Sequence, residues 1–482
     1  MVNATTSERF RRHLKQVLLQ LNIIKSFLHE SKEWQTPALS TVQQKLADLQ
    51  NVLNQFQIPA LNSQAPFLSG APALIRPAIF LFVFAEALAN SFMPLYAMEL
   101  YRPLWNLSKD VVLGLPISSF MLLTSLGLPF AGALSDAIGR KQAFITGASI
   151  TCMGMILCAT ANDILALIGF RAVVGLGFGI TYISVQGYII DTSSEAGRAE
   201  GMAIFLSALY GGSLCGTVIG ALIADRIGYR SLFFLGAFIS LASLLFVLFF
   251  ISKHPSKRPN SQTGYGIKQL FINTFSALPS PRETLRLFSD RNFSAIVLFQ
   301  AIPGKIVLIG LVFFAAPLML KALGNSQSDI GRYVTGYSLV MILFSQPVSK
   351  WCDRKSRTME FVFWGSIVSG LAMLPLFFFE NALMVALSIV MIGLAHTLVV
   401  SNQDKLASQL PSVQSIGIGP GLGLYRQCER MGNVVAPVLL AWLITACGYG
   451  RALGIIGIYV ILSGLLFRLL YRPQATPEQG SP

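Results

Sequence analysis

What this sequence has least of is charge. Only 12% of its 482 residues are Asp, Glu, Lys or Arg, against about 25% in an ordinary soluble domain. Most of its surface therefore faces something other than water. Cysteine is sparse too: Cys152, Cys158, Cys215, Cys352, Cys428 and Cys447 are scattered, mostly inside apolar segments. Their spacing suits neither a metal site nor a disulfide framework. With four histidines in all, the chain offers no nucleophile–base arrangement, metal-ligand cluster or phosphate loop, so neither an enzyme nor a cofactor is expected. The GLGFG run at 175–179 lies in an apolar helical stretch rather than after a strand, which argues against a phosphate loop. The leading MVNATTSERFRRHLKQ has no apolar core, and no cleavable signal peptide is expected.

What is there instead is apolar length. Hydrophobic residues make up 53% of the chain, in runs near the roughly 20 residues that cross a ~30 Å hydrocarbon core. Net charge is +14, but the basic residues sit in short loops rather than in one patch. That pattern follows the positive-inside rule and excludes nucleic acid as the partner. The sequence predicts an all-α polytopic membrane protein with the lipid bilayer as its solvent.

Hydropathy places twelve transmembrane helices at 77–98, 110–133, 143–161, 164–190, 200–224, 230–252, 293–320, 328–349, 359–379, 382–401, 418–445 and 451–471. They group into six-helix halves at 76–252 and 292–472, joined by a polar cytosolic loop at 253–291 and followed by a tail at 473–482. Within the loop, Ser280-Pro281-Arg282-Glu283 has the capping-box pattern that starts a short helix. Roughly 25 Lys and Arg fall on one side of these spans and about 7 on the other, which makes both termini cytoplasmic and the plasma (cell inner) membrane the expected location. Residues 1–75 differ from the rest. Phe10, Leu14, Val17, Leu21, Ile24 and Leu28 form one heptad seam, and Leu39, Val42, Leu46, Leu49, Leu53 and Phe56 form a second. Two cytosolic helices follow from this, paired as a hairpin or, alternatively, as a dimer with another copy.

The halves also repeat. Asp136 and Arg140 after the second helix match Asp353 and Arg357 after the eighth, 217 residues later. Gly212, Gly216, Gly228 and Tyr229 match Gly432, Ala436, Gly448 and Tyr449 at a separation of 220. Parallel repeats of this kind build transporters with a central site between the halves. The small residues Gly212, Gly216 and Gly220, four apart, present one helix face to a close neighbour. Ionisable residues at bilayer depth are costly and mark function or a buried pair. Glu86 and Arg171 are within reach of each other, as a proton or substrate site or as a static pair supported by polar neighbours such as Asn90. Lys305 beside Pro303-Gly304, with Gln300 near it, faces the cavity or snorkels to the interface. Arg426, Glu429 and Arg430 suggest a structural network, and His396 reads as hydrogen-bonded filler.

GALSDAIGRK, carrying Gly132, Asp136, Gly139, Arg140 and Lys141, resembles the loop signature G-x-x-x-D-x-x-G-R-[RK] of the major facilitator superfamily. Arg171 with Gly175 and Gly177 resembles its fourth-helix motif. Gly216-Thr217-Val218-Ile219-Gly220-Ala221 is similar to the fifth-helix motif of its proton-coupled exporters, with Thr217 and Ala221 where that motif carries proline and glycine. The resemblance implies twelve helices in two pseudo-symmetric halves that rock around a midplane site. It places helices one, four, seven and ten on that cavity, and so Glu86, Arg171, Gln300 and Lys305 near substrate and protons. The loop signature is implied to act as a conformational latch. The function implied is efflux of small organic molecules by proton antiport. Organic-anion uptake by symport is one alternative, and a sensor acting through the N-terminal helices is the other.

Overall fold

A computed structural model of the chain describes residues 74–193, 198–251, 281–355 and 357–472. The N-terminal heptad seams, most of the central loop and the tail lie outside the described residues. Every regular element among those described is helical. In chain order they are α1 (Arg76–Ala87), α2 (Met93–Glu99), α3 (Lys109–Ile138), α4 (Arg140–Ala159), α5 (Ile164–Thr192) and α6 (Arg198–Phe250). After the central segment come α7 (Pro281–Ser289), α8 (Arg291–Ala322), α9 (Gln327–Lys355) and α10 (Thr358–Phe377). The chain ends with α11 (Ala382–Gln409), α12 (Pro411–Ile416), α13 (Ile418–Cys447) and α14 (Tyr449–Leu470). Nine helices among the described residues are long and apolar enough to cross a bilayer, so this is a multi-pass membrane protein.

The deviations from twelve plain rods have local causes. The first expected span is broken at 88–92 into α1 and α2, where the N1/N2 proline Pro94 restarts the helix. The fifth and sixth expected spans run together as α6, interrupted only at Gly228 with φ 76° and ψ 163°. Gly448, its repeat mate, has φ 84° and ψ 170° between α13 and α14. Both positions need the left-handed side of φ space that glycine enters without penalty. The repeat read in the sequence thus recurs as one backbone turn used twice. Helix α8 contains π-helical stretches at Val297–Ala301 and Ile306–Ala315 on either side of Pro303, whose missing N–H removes one helical hydrogen bond.

Close helix approach follows the small residues. A Cβ on Gly212, Gly216 or Gly220 of α6 would run into the carbonyl oxygens of Phe80, Phe84 and Leu88 respectively. Backbone lies directly on backbone there. In the second half Gly432 of α13 meets Ile302 of α8 in the same manner, at 2.8 Å.

The two halves meet chiefly through α3 with α13 and α6 with α9, and their described contacts gather toward one end. There Asp225 Oδ2 accepts from Ser328 N at 2.9 Å and from Ser328 Oγ at 2.8 Å. Thr445 Oγ1 lies 3.0 Å from Asp110 Oδ2 and 2.9 Å from Ser108 Oγ. Asp110 and Ser328 stand at the starts of α3 and α9, Asp225 just ahead of the Gly228 break in α6, and Thr445 near the end of α13. The repeat therefore supplies the same seal twice, a first-half carboxylate to a second-half hydroxyl. Deeper contacts are Ser118 Oγ to the Val434 carbonyl at 2.8 Å and Gln427 Nε2 to Ser125 Oγ at 3.0 Å.

Gly220→Ala places a methyl group against the Leu88 carbonyl and should cost about 1–3 kcal/mol through overpacking. A Cβ on Gly132 meets nothing within 4 Å, so Gly132→Ala should leave the melting temperature in detergent unchanged. Equal shifts for the two variants would contradict the packing described.

Candidate functional site

Two sets of charges sit inside the membrane-spanning part, and they differ in access. The first is sealed. Arg171 Nη2 on α5 lies 3.2 Å from Glu86 Oε1 on α1, with side chains 4% and 8% exposed. The Arg171 guanidinium also covers the Phe120 ring of α3 at 4.4 Å, a cation–π contact that gains strength from the burial of the pair. Among the described residues, its Nε and Nη1 have no hydrogen-bond partner. Asn90 does not join this pair. It stands in the break between α1 and α2 and donates to Thr217 Oγ1 at 3.4 Å, tying the broken helix to α6.

The second set is a chain of alternating sign reached from the end away from the Asp110 and Asp225 seals. Lys305 Nζ lies 3.0 Å from Glu429 Oε1. The other carboxylate oxygen lies 3.5 Å from Arg426 Nη1, and Arg426 Nη2 lies 2.6 Å from Asp404 Oδ2. Lys305, Arg426 and Asp404 are 24%, 51% and 33% exposed. Three helices, α8, α13 and α11, are joined by this chain. Arg430, one residue past Glu429, instead crosses to the first half, where its guanidinium lies 5.5 Å from the Tyr182 ring centre.

Gln300 is turned away from Lys305. Its Oε1 accepts from Ser366 Oγ of α10, and it lines a small internal cavity with Ser369 and His396. His396 Nδ1 is 3.0 Å from Tyr337 Oη.

The loop after α3 binds the first half to itself. Gly139, with φ 90°, turns the chain between α3 and α4. Arg140 then pairs with Asp136 at 2.6 Å and with Asp191 at the end of α5 at 2.8 Å. Lys141 Nζ donates to the carbonyls of Leu248 and Ile251 at 2.8 and 2.6 Å. Four helix ends are held at one corner. In the second half Arg357 is exposed ahead of α10, and the Asp353 side chain lies outside the described residues.

Asp404 and Asp191 are ion-pair partners of predicted site residues that the sequence reading left out, for one reason. Expected helices ended at 401 and 190, whereas α11 and α5 run to Gln409 and Thr192. Both aspartates lie just beyond the predicted spans, yet each falls on a helix end within reach of an arginine.

A family model described as Major Facilitator Superfamily matches residues 77–308 and 306–482. The multidrug resistance protein MdtG of Salmonella arizonae is 26% identical over 403 residues, covering 80% of this chain and 90% of that protein. The uncharacterized MFS-type transporter YwoD of Bacillus subtilis is 24% identical over 424 residues, with 78% and 91% coverage. A crystal structure of a D-xylose–proton symporter superposes with a TM-score of 0.65 at 18% identity, over 83% of this chain and 97% of that one.

Removing either member of the sealed pair strands a charge in an apolar interior. Glu86→Gln and Arg171→Met should each lower the unfolding free energy in detergent micelles. The double variant should lose less than their sum, by about 0.5–3 kcal/mol. Additive losses would mean that the two side chains do not interact.

Proposed function

The chain belongs to the major facilitator superfamily, and from that premise we propose that it exports small organic molecules across the cell inner membrane in exchange for protons. The observation that carries this reading is the difference in access between the two charged sets. Lys305, Glu429, Arg426 and Asp404 form a partly solvated chain at the open end, while Glu86 and Arg171 are closed off from it. A carrier that binds cargo at one set and handles protons at the other needs such an asymmetry in each of its states. The open end is the basic one, with Arg140, Lys141, Lys350, Arg354 and Lys355, and so is taken as cytoplasmic with both termini. Cargo enters there. When the Asp110–Thr445 and Asp225–Ser328 seals part, the halves rock apart at the other end, Arg171 leaves Glu86, and the carboxylate takes a proton from outside. The name of the relative MdtG, a multidrug resistance protein, supports the direction of transport.

Organic-anion uptake through the same cavity is the second reading. Lys305, Arg426 and Arg430 outnumber Glu429 and Asp404, and this net basic balance favours it.

Proteoliposomes under an imposed pH gradient separate these readings. With a panel of organic substrates, wild type should move protons opposite to substrate. Glu86→Gln should still bind substrate and lose at least tenfold in coupled proton flux. Normal coupling in that variant would remove Glu86 from the proton path, and protons moving with substrate would establish uptake.

A further inference from the structure

In the first half the buried contact between α1 and α5 is an ion pair, Glu86 with Arg171. The repeat mates of those two helices are α8 and α11, and the groups that meet there are neutral. Gln300 stands on α8, His396 on α11, and Ser366 and Ser369 one turn apart on α10, all four buried. They line one small cavity whose other walls are apolar, with Val399 and Val460 on one side and Pro303, at the bend of α8, on another.

The protein meets only part of the hydrogen-bonding capacity of these side chains. Gln300 Oε1 accepts from Ser366 Oγ, and His396 Nδ1 lies 3.0 Å from Tyr337 Oη of α9. Gln300 Nε2 and Ser369 Oγ have no partner among the described residues. Nε2 of His396 is the ring nitrogen that Tyr337 does not occupy. A buried polar group without a partner is costly in an apolar interior, and here three such atoms belong to residues around one space. That space has room for a single water, and a buried water typically makes about three hydrogen bonds. It is too small for an organic ligand. No carboxylate lines it, and Lys305 interacts electrostatically with His396, so a cation does not suit it.

We propose that this cavity is a binding site for one ordered water, to which Gln300 Nε2 donates and which bridges Ser369 Oγ and His396 Nε2. A neutral chain then runs from Tyr337 through His396, the water and Gln300 to Ser366, joining α9, α11, α8 and α10. Where the first half is fastened by charges, the second is fastened by a water. Gln300 lies in the π-helical stretch that precedes Pro303, and a membrane helix interrupted by proline depends on neighbouring side chains and ordered water to satisfy its polar groups. The network therefore holds the bend that carries Lys305, five residues past Gln300, to Glu429. The assignment is independent of the cargo and of the direction of transport.

Radiolysis by short X-ray pulses splits ordered waters in place, and the hydroxyl radicals label the side chains beside them. In the full-length protein in detergent, His396 should be labelled at least tenfold faster than Phe314, a comparably buried residue of the apolar core. A scavenger confined to bulk solvent should leave that difference in place. Ser369→Val fills the cavity with carbon, and should bring His396 down to the Phe314 rate with no fall in melting temperature. Gln300→Leu removes the donor, and should lower both the labelling and the melting temperature, the latter by several degrees. Wild-type His396 labelled no faster than Phe314 overturns the water site without recourse to any variant, and so does labelling that persists in Ser369→Val. An unchanged melting temperature in Gln300→Leu overturns the part of the network in holding α8.

Discussion

A formal charge inside hydrocarbon has to find a partner, line water, or meet an ion that comes and goes. That constraint organises the interior of this protein. Glu86 and Arg171 have found each other across two helices. Lys305, Glu429, Arg426 and Asp404 alternate in sign across three. Arg140 collects Asp136 and Asp191 at the corner where four helix ends meet. The helix packing follows, because each pair fixes which helices are neighbours and at what depth they are registered. The glycine face of α6 lets α1 sit close enough to hold Glu86 at its level, and the breaks at 88–92 and at Pro303 allow α1/α2 and α8 to bend where these charges lie.

The repeat gives the architecture its capacity to move. The same turn at Gly228 and Gly448, the same close approach of α6 on α1 and of α13 on α8, and the same carboxylate-to-hydroxyl seal at Asp110–Thr445 and Asp225–Ser328 appear once per half. Each half is internally stapled, while the polar seals between halves are exposed hydrogen bonds at the rim of the packed α3–α13 and α6–α9 interfaces. Exposed hydrogen bonds contribute little net stability apiece, so the seals suit parting and re-forming without disturbance of either half.

Much of this was legible in the sequence. Apolar runs, basic loops and the separation of 220 residues between matching glycines pointed to a helical, duplicated membrane protein. Glu86 and Arg171 stood out because charge is so rare there. Less legible were features that depend on where a helix stops. Asp191 and Asp404 lie at helix ends that continue past their last apolar residues, and hydropathy ends a helix where hydrophobicity ends. Helix rotation was also hidden: Gln300 is five residues from Lys305, yet π-helical turns and Pro303 intervene, and it faces Ser366 and His396. The stack of Phe120, Phe178 and Tyr182 with Arg171 and Arg430 at its ends was invisible for a different reason, since aromatic residues are common filler in spans and only the tertiary arrangement brings these together.

The central claim is that the seals at Asp110 and Asp225 open as a unit while the opposite end closes. Pulsed electron paramagnetic resonance on a cysteine-free background measures this directly, with spin labels at Trp105 and Leu323 for the sealed end and at Ile138 and Arg357 for the open one, all exposed positions. The account predicts two distance populations at each end, shifting in opposite directions when pH or substrate changes. A single distance at each end that ignores both, or two ends that open together, would contradict it.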